Sequence, residues 1–340
     1  MVSASAGAEG NGMRELEEIF PHVQGRRVLV IGDIMVDEYI WGSVSRISPE
    51  APVPVVEVDT EEVRLGGAAN VAANVRSLGG NPILIGVVGD DAAAERLIED
   101  LARDGIDGRG VVIDKGRPTT IKTRIIAGSQ PIVRFDKEER EEVRDESLAK
   151  LSRSAEERLA EVDGLIISDY GKGVISGPFL QWLIPKALRL NKIISVDPKE
   201  NHFPLYRGVT VITPNHKEAG IACGKAIRTE EDLNAAGLDL LAEIGVQGVL
   251  ITRGAQGMRL FERGKPPVQI DTVAREVYDV VGAGDTVVAA LTLALAAGAN
   301  LEKAARISNY AAGVVVGKKG TATVTLKELG SSLRANRRRA

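Results

Sequence analysis

Short, nearly continuous apolar runs recur along the chain from residue 28: VLVIGD (28–33), ILIGVVGD (83–90), GLIISDY (164–170), KIISVDP (192–198), VTVITPN (209–215) and VLITRG (249–254). Such runs are too short for buried helices and do not alternate as half-exposed strands do. They predict strands buried on both faces. Between them, residues 70–78 and 92–101 repeat apolar positions every three to four residues, which predicts helices packed on a sheet. Strand–helix alternation of this kind predicts a doubly wound α/β fold with a mostly parallel sheet. Ligands of such folds gather beyond the carboxyl ends of the strands. Here those ends carry Asp33, Asp90, Asp169, Asp197, Asn215 and Arg253.

Two stretches break the alternation. Residues 39–60 and 119–136 are rich in β-branched residues, proline and turn signals and show no helical period. They predict a small second sheet serving as a lid or a dimer contact. The boundaries expected are a flexible tail over 1–14, a single domain over 15–330 and a basic tail over 331–340. Neither a secretory leader nor a membrane-spanning run is legible, which implies a cytoplasmic protein.

Charge changes the picture only by exclusion. The 340 residues hold 47 acidic and 43 basic side chains, a net −4, which does not suit a protein that coats nucleic acid. One cysteine and three histidines cannot build a disulfide or a Cys/His zinc site. Carboxylate-held Mg²⁺ stays open. The dinucleotide fingerprint, Walker loop, nucleophile elbow and H-E-x-x-H motif are all missing.

The sharpest candidate is DVVGAGD at 279–285, followed by a helical stretch to about residue 297. Gly282, Ala283 and Gly284 would form a tight turn whose amides, with the helix dipole, cradle an anion. Asp285 in the first turn would take a proton from a substrate hydroxyl, or would simply cap the helix. Asn215, His216, Lys217 and Glu218 follow a strand. Asn215 with Glu218 reads either as a capping box or as a polar pair holding hydrated Mg²⁺ beside nucleotide phosphates. Gly66 and Gly67 run into a helix carrying Asn70, which suits close approach to a polyol or merely tight helix packing. Asp33 and Asp37 suit sugar hydroxyls, although an Asx-turn would equally explain Asp33. If residues 121–125 form a strand, Lys122 and Arg124 share a face, with Arg134 on the returning segment. This basic cluster would hold an acceptor that already bears phosphate, unless the charges are merely solvated. Asp169 with Lys172, and Asp197 with Lys199, would line the cleft or form local ion pairs.

The GGAAN of 66–70 and the DVVGAGD of 279–285, with Asn215 and Glu218 between them, resemble the ribokinase-like (PfkB) carbohydrate kinases over roughly 28–329. The resemblance implies an α/β/α sandwich with a small β lid, and transfer from ATP with Mg²⁺ to a sugar hydroxyl. By the same resemblance Asp285 is the base, the 282–284 amides are the anion hole, and Asn215 with Glu218 serves nucleotide and metal, Glu218 acting through water. Thr252, Gly254 and Gly257 border the adenosine, and Asp33, Asp37, Gly66, Gly67 and Asn70 hold the sugar. A monovalent cation near 320–323 is a further implication. RISPEAPVPV (46–55), SDYGKG (168–173), VDPK (196–199), EVYD (276–279) and AGVVVGK (312–318) are similar to the heptose-phosphate kinase group within that family. That group phosphorylates D-glycero-β-D-manno-heptose 7-phosphate at the anomeric hydroxyl, in ADP-heptose and lipopolysaccharide core synthesis. Val280 replaces the threonine common in the family. Other expectations are a homodimer, a separate nucleotidyltransferase, and no nucleic-acid or membrane partner. The competing readings are a ribose- or fructose-type kinase and a non-catalytic sugar-phosphate sensor.

Overall fold

The computed structural model describes residues 14–128, 130–274 and 277–337; the expected amino-terminal tail and residues 338–340 lie outside the described residues. The large sheet has nine strands in the order β13-β12-β11-β10-β9-β8-β1-β4-β5. Strands β1 (Arg27–Gly32), β4 (Asn81–Val88), β5 (Asp107–Ile113), β8 (Gly164–Ser168), β9 (Ile193–Asp197), β10 (Val211–Ile212) and β11 (Gly248–Thr252) run parallel. Strand β12 (Met258–Glu262) and the edge strand β13 (Val268–Ile270) are antiparallel.

The continuous apolar runs have a direct structural consequence. Within β1, Val28 and Val30 enter one hydrophobic cluster while Leu29 and Ile31 enter the other. Strand β8 divides in the same way, with Ile166 on one side and Leu165 and Ile167 on the other. A strand needs side chains of both parities to be apolar only when helices cover both faces. On one face lie α2 (Ala68–Ser77), α3 (Ala92–Arg103), α8 (Ala283–Ala296), α9 (Leu301–Val315) and α10 (Leu326–Arg337); α4 (Asp145–Leu159), α5 (Gly177–Arg189) and α7 (Glu230–Ile244) cover the other. The shorter α1 (Phe20–Val23) precedes β1, and α6 (His216–Ala222) follows β10. No described helix is long and apolar enough to cross a membrane.

The lid is a separate four-stranded sheet in the order β3-β2-β6-β7, formed by β2 (Ile34–Ile47), β3 (Pro54–Gly67), β6 (Thr120–Ala127) and β7 (Gln130–Lys137). Its first two strands reach deeper into the domain than expected. Strand β2 starts two residues after β1 ends, and β3 runs directly into α2. Lid and main sheet are therefore joined at the residues that carry the candidate chemistry.

Other expectations need correction. Of VTVITPN only Val211–Ile212 joins the ladder, because Pro214 has no N–H to offer it. Helix α10 continues past residue 330 and buries Leu333, so the residues assigned to a basic tail begin as part of the domain. Helix spacing keeps Leu329 and Leu333 on one face.

Strand β1 sits where the chain reverses direction across the sheet, with β4 on one side and β8 on the other. At its carboxyl end Gly32 pairs with Ser168, and a Cβ there would stand 2.0 Å from the Ser168 carbonyl oxygen. Gly32→Ala should therefore cost on the order of 3 kcal/mol in urea unfolding. Gly177→Ala, whose Cβ would meet only Leu205 methyl groups at 4.0 Å, should change stability by less than about 0.5 kcal/mol.

Candidate active site

The site lies beyond the carboxyl ends of β1, β8, β9, β10 and β11, facing the start of α8. Asp285 occupies the first turn of α8 and is 3% exposed. Asn70, from α2, donates Nδ2 to Asp285 Oδ2 at 2.6 Å, and Tyr170, from the turn after β8, donates its hydroxyl to Oδ1 at 2.6 Å. The two motifs at opposite ends of the sequence thus meet in one hydrogen bond. Burial raises the Asp285 carboxyl to about 7; the bonds from Tyr170 and Asn70 oppose that rise and the charge of Asp37 adds to it.

The neighbouring glycines follow from this contact. Gly282 has φ +78°, and a Cβ on it would stand 2.8 Å from Asn70 Nδ2. Any other residue would therefore strain the turn and push away the amide that holds Asp285. The first-turn N–H groups of α8 have no intrahelical acceptor and carry the positive end of the dipole. Ala283 spends its amide on the Val280 carbonyl at 3.3 Å. Behind the carboxylate, Thr286 donates to Asn74 Oδ1 at 3.0 Å and Asn74 donates to the Asn70 carbonyl at 3.0 Å, so α2 and α8 are locked side chain to side chain.

Acidic groups form the rim between the end of β9 and the start of α6. A Cβ on Gly284 would lie 3.8 Å from Asp197 Oδ2. Asp197, at the end of β9, is pushed well above the usual carboxylate range by burial and then by the charges of Glu218 and Asp285. Glu218 is raised chiefly by burial. The expected capping box at the start of α6 is complete: Asn215 Oδ1 accepts from the amides of Lys217 and Glu218, and Glu218 accepts from the Asn215 amide at 2.9 Å. His216 and Lys217 are the first two residues of α6, Lys217 exposed. Thr252, ending β11, bridges to Asn215, and Gly254 (φ +58°) and Gly257 (φ +75°) shape the turn that follows. Among the described residues no group of three His, Cys, Asp or Glu side chains could hold a metal by itself. Two mutually repelling carboxylates, Asp197 and Glu218, nonetheless fit an Mg²⁺ that keeps waters and is completed by substrate phosphates.

Two expected sugar ligands prove to be scaffold. Asp33 Oδ2 accepts from the amides of Tyr170 (2.8 Å) and Lys172 (3.1 Å), and Oδ1 from Val174 (3.2 Å). Its carboxylate is thus committed to holding the distant 170–174 turn, and not to the local Asx-turn the sequence also allowed. Asp169 has a fully buried carboxylate shared by the Gly171 amide, the His202 ring and the Tyr206 hydroxyl. Its oxygens therefore have no room for a ligand.

Asp37, on β2 and buried, meets Arg124 and accepts from Thr321 at 3.1 Å. Gly66 is the close-approach position: a Cβ there would stand 2.7 Å from Asp37 Oδ2; Gly67 turns the chain at φ +53°. The lid cations gather as expected. Lys122 and Arg124 share a face of β6, and Arg134 pairs directly across from Arg124. Lys172 lies close enough that its charge, after burial, lowers the Lys122 ammonium. Each cation has a carboxylate partner: Asp136 for Lys122 and Arg134, Asp37 for Arg124, and Glu138 for Lys172. Near 320–323, Arg64 donates to the Lys319 and Thr321 carbonyls at 2.6 and 2.7 Å, and Lys318 to that of Thr323 at 2.7 Å. Cations of the chain itself thus already hold these oxygens.

The sequence reading missed Tyr170, Asn74 and Thr321. Asn74 had a legible signal, lying one helical turn after Asn70. Tyr170 and Thr321 lay inside quoted segments, 168–173 and 320–323, but nothing there pointed to their contacts, which only the turn after β8 and the loop before α10 create.

The description of the pfkB family carbohydrate kinases matches residues 26–328. "Bifunctional protein HldE" of Desulfatibacillum aliphaticivorans is 45% identical over 307 residues, covering 90% of this chain and 63% of that protein. The protein of the same name from Geobacter sulfurreducens is 45% identical over 320 residues, covering 94% of this chain and 65% of its own length. The chain thus spans under two thirds of these curated relatives. Among solved structures, phosphofructokinase-2 from Escherichia coli in complex with substrates and products superposes with a TM-score of 0.76 at 20% identity, covering 92% of this chain and 99% of that one. Arabidopsis thaliana ribokinase complexed with ribose and ATP gives 0.71 at 20% identity, with coverage of 92% and 99%. These likenesses place the fold.

The buried Asp285 carboxyl sets a pH dependence of stability. A carboxyl raised in the folded state to about 7 contributes stability that is complete below its unfolded value and is lost as pH rises through the folded one. Wild type should therefore lose stability relative to Asp285→Asn between about pH 4 and pH 7 and keep a constant difference above that. Melting temperatures of both proteins across that range check this; a difference independent of pH would contradict it.

Proposed function

Because the chain belongs to the pfkB family of carbohydrate kinases, we propose that it transfers the γ-phosphoryl group of ATP to the anomeric hydroxyl of D-glycero-β-D-manno-heptose 7-phosphate, giving the 1,7-bisphosphate. The observation that carries the catalytic part is the buried Asp285, raised to about 7 and aimed by Asn70 at the mouth of the first turn of α8. A carboxylate with that proton affinity is matched to taking a hydroxyl proton near neutral pH. The amides around Gly282 and Gly284, with the helix dipole, are placed to stabilise charge on the transferring group. Mg²⁺, completed by phosphate oxygens and reached through Asp197 and Glu218, would neutralise phosphate charge. Thr252, Gly254 and Gly257 border the nucleoside, while Asp37, Gly66 and Asn70 meet the sugar. The lid excludes water when it closes.

The choice of a phosphorylated heptose rests on the motif likeness and on the cluster of Lys122, Arg124, Lys172 and Arg134. One observation favours a second reading. Each of those cations is already paired with a carboxylate, which would suit an uncharged acceptor such as ribose or fructose. Adenylylation of the product is assigned to a separate activity, and the protein to the cytoplasm. A homodimer through the outer face of the lid fits the exposed apolar side chains of Val58, Val63, Val133 and Phe135.

A coupled assay comparing heptose 7-phosphate, ribose and fructose decides the acceptor, and a clear preference for either plain sugar would overturn the heptose assignment. Asp285→Asn should lower turnover by about a thousandfold with ATP affinity retained, and near-normal turnover would remove Asp285 from the base role. Light scattering should find a dimer that Phe135→Asp dissociates; a monomeric wild type at micromolar concentration would refute the lid contact.

A further inference from the structure

Resting on the kinase reading above, we propose that in the ligand-free protein the Tyr170 phenol occupies the position from which the acceptor's reacting hydroxyl donates to Asp285, and gives way to that hydroxyl when the acceptor binds. Tyr170 is then a positioning residue for the base and a placeholder for the substrate.

The geometry supports this from both sides of the carboxylate. Among the described residues, the side-chain donors on Asp285 are Asn70 on Oδ2 and Tyr170 on Oδ1, each at 2.6 Å. Each oxygen could accept a second bond, but with the residue 3% exposed the phenol stands on Oδ1 where an incoming hydroxyl would have to approach, so the direct route to the carboxylate opens when a donor yields. Asn70 is 2% exposed, sits on α2 and is braced by Asn74, whose Nδ2 donates to the Asn70 carbonyl at 3.0 Å and to its Oδ1 at 3.3 Å. Tyr170 is the half-buried one of the two, and its contact with Asp285 is made by the tip of a long side chain. Rotation about its side-chain bonds frees the carboxylate without moving the backbone.

The backbone behind Tyr170 is, by contrast, fixed. Asp33 accepts its amide and those of Lys172 and Val174, Asp169 accepts the amide of Gly171, and a Cβ on Gly173 would collide with the Glu141 carbonyl. A rigid turn that delivers one phenol to the base explains why a carboxylate as deeply buried as Asp33 is devoted to that turn. The exchange balances simply: the phenol keeps its proton throughout, and the proton Asp285 takes is the acceptor's. Burial and the neighbouring Asp285 charge raise the phenol well above its ordinary range, so it remains a donor.

Other charges facing the pair are Asp37 from β2, with Arg124 of β6 on its far side, Asp197 at the end of β9, and Glu218 of α6 beyond it with Lys199 nearby. Replacing the phenol by phenyl leaves all of these in place, so a change in Asp285 titration reports the lost hydrogen bond.

The test is an infrared titration of the Asp285 carboxyl band, assigned by its absence in Asp285→Asn, in wild type and Tyr170→Phe. Both are measured free and with saturating D-glycero-D-manno-heptose 7-phosphate. In the free proteins Tyr170→Phe should titrate about one pH unit higher, having lost a bond to the charged form. With the sugar phosphate bound the two midpoints should converge, since the phenol has left the carboxylate in wild type. Unchanged midpoints in the free proteins, or a difference that persists undiminished in the complexes, would overturn the proposal. A sugar phosphate that neither binds nor is phosphorylated would instead defeat the acceptor assignment, leaving Tyr170 to be decided by the free proteins.

Discussion

A carboxylate buried with no cation beside it among the described residues is the constraint on which this structure turns. Asp285 is held by two neutral donors, Asn70 and Tyr170, and its charge is opposed by burial and by Asp37. Removing a carboxylate from water without a counter-charge is expensive, and hydrogen bonds repay only part of the cost. Geometry therefore has to be tight. The glycine at 282 lets the Asn70 amide approach, the α2–α8 contact is cross-linked through Asn74 and Thr286, and the Tyr170 turn is pinned by Asp33. Each of these features looks local, yet each serves the same pair of oxygens.

The sheet supplies the platform for that arrangement. Parallel strands covered on both faces leave their carboxyl ends as the place where polar groups can collect without disturbing the core. Strand β1 lies at the reversal of strand order, so the turns after β1 and β8 lie side by side and Asp33 can serve the turn that follows Ser168. The lid strands β2 and β3 continue straight from β1 and into α2. Movement of the lid thus acts directly on Asp37 and on the helix that carries Asn70.

What could be read from the sequence follows the range of the forces involved. Apolar runs and helical periods are local, and they gave the α/β class, the six main strands and the lid. The glycine turn before Asp285 and the capping box of Asn215 with Glu218 were legible for the same reason, because cap and turn chemistry is fixed within a few residues. The partners of Asp33 and Asp169 were not legible, because a carboxylate at a strand end looks alike whether it serves a ligand or, as here, distant amides and buried polar side chains. Tyr170 was invisible since its partner is more than a hundred residues away. The edge strands β5 and β13 and the penultimate β12 went unread: β5 is interrupted by two glycines, β13 has three residues, and β12 carries Arg259 and Glu262 among its five.

The central claim is that burial gives Asp285 a proton affinity near neutrality and that Asn70, donating to the charged form, keeps it from rising further. The pH profile of kcat/KM for the acceptor at saturating ATP and Mg²⁺, measured side by side for wild type and Asn70→Ala, tests this most directly. The account predicts an acidic limb with a midpoint near 7 in wild type, activity rising as the base ionises, and a limb displaced to higher pH in the variant, which has lost a donor to the charged form. A limb at the same pH in both proteins would assign the titration to the substrates' own phosphates and contradict the account.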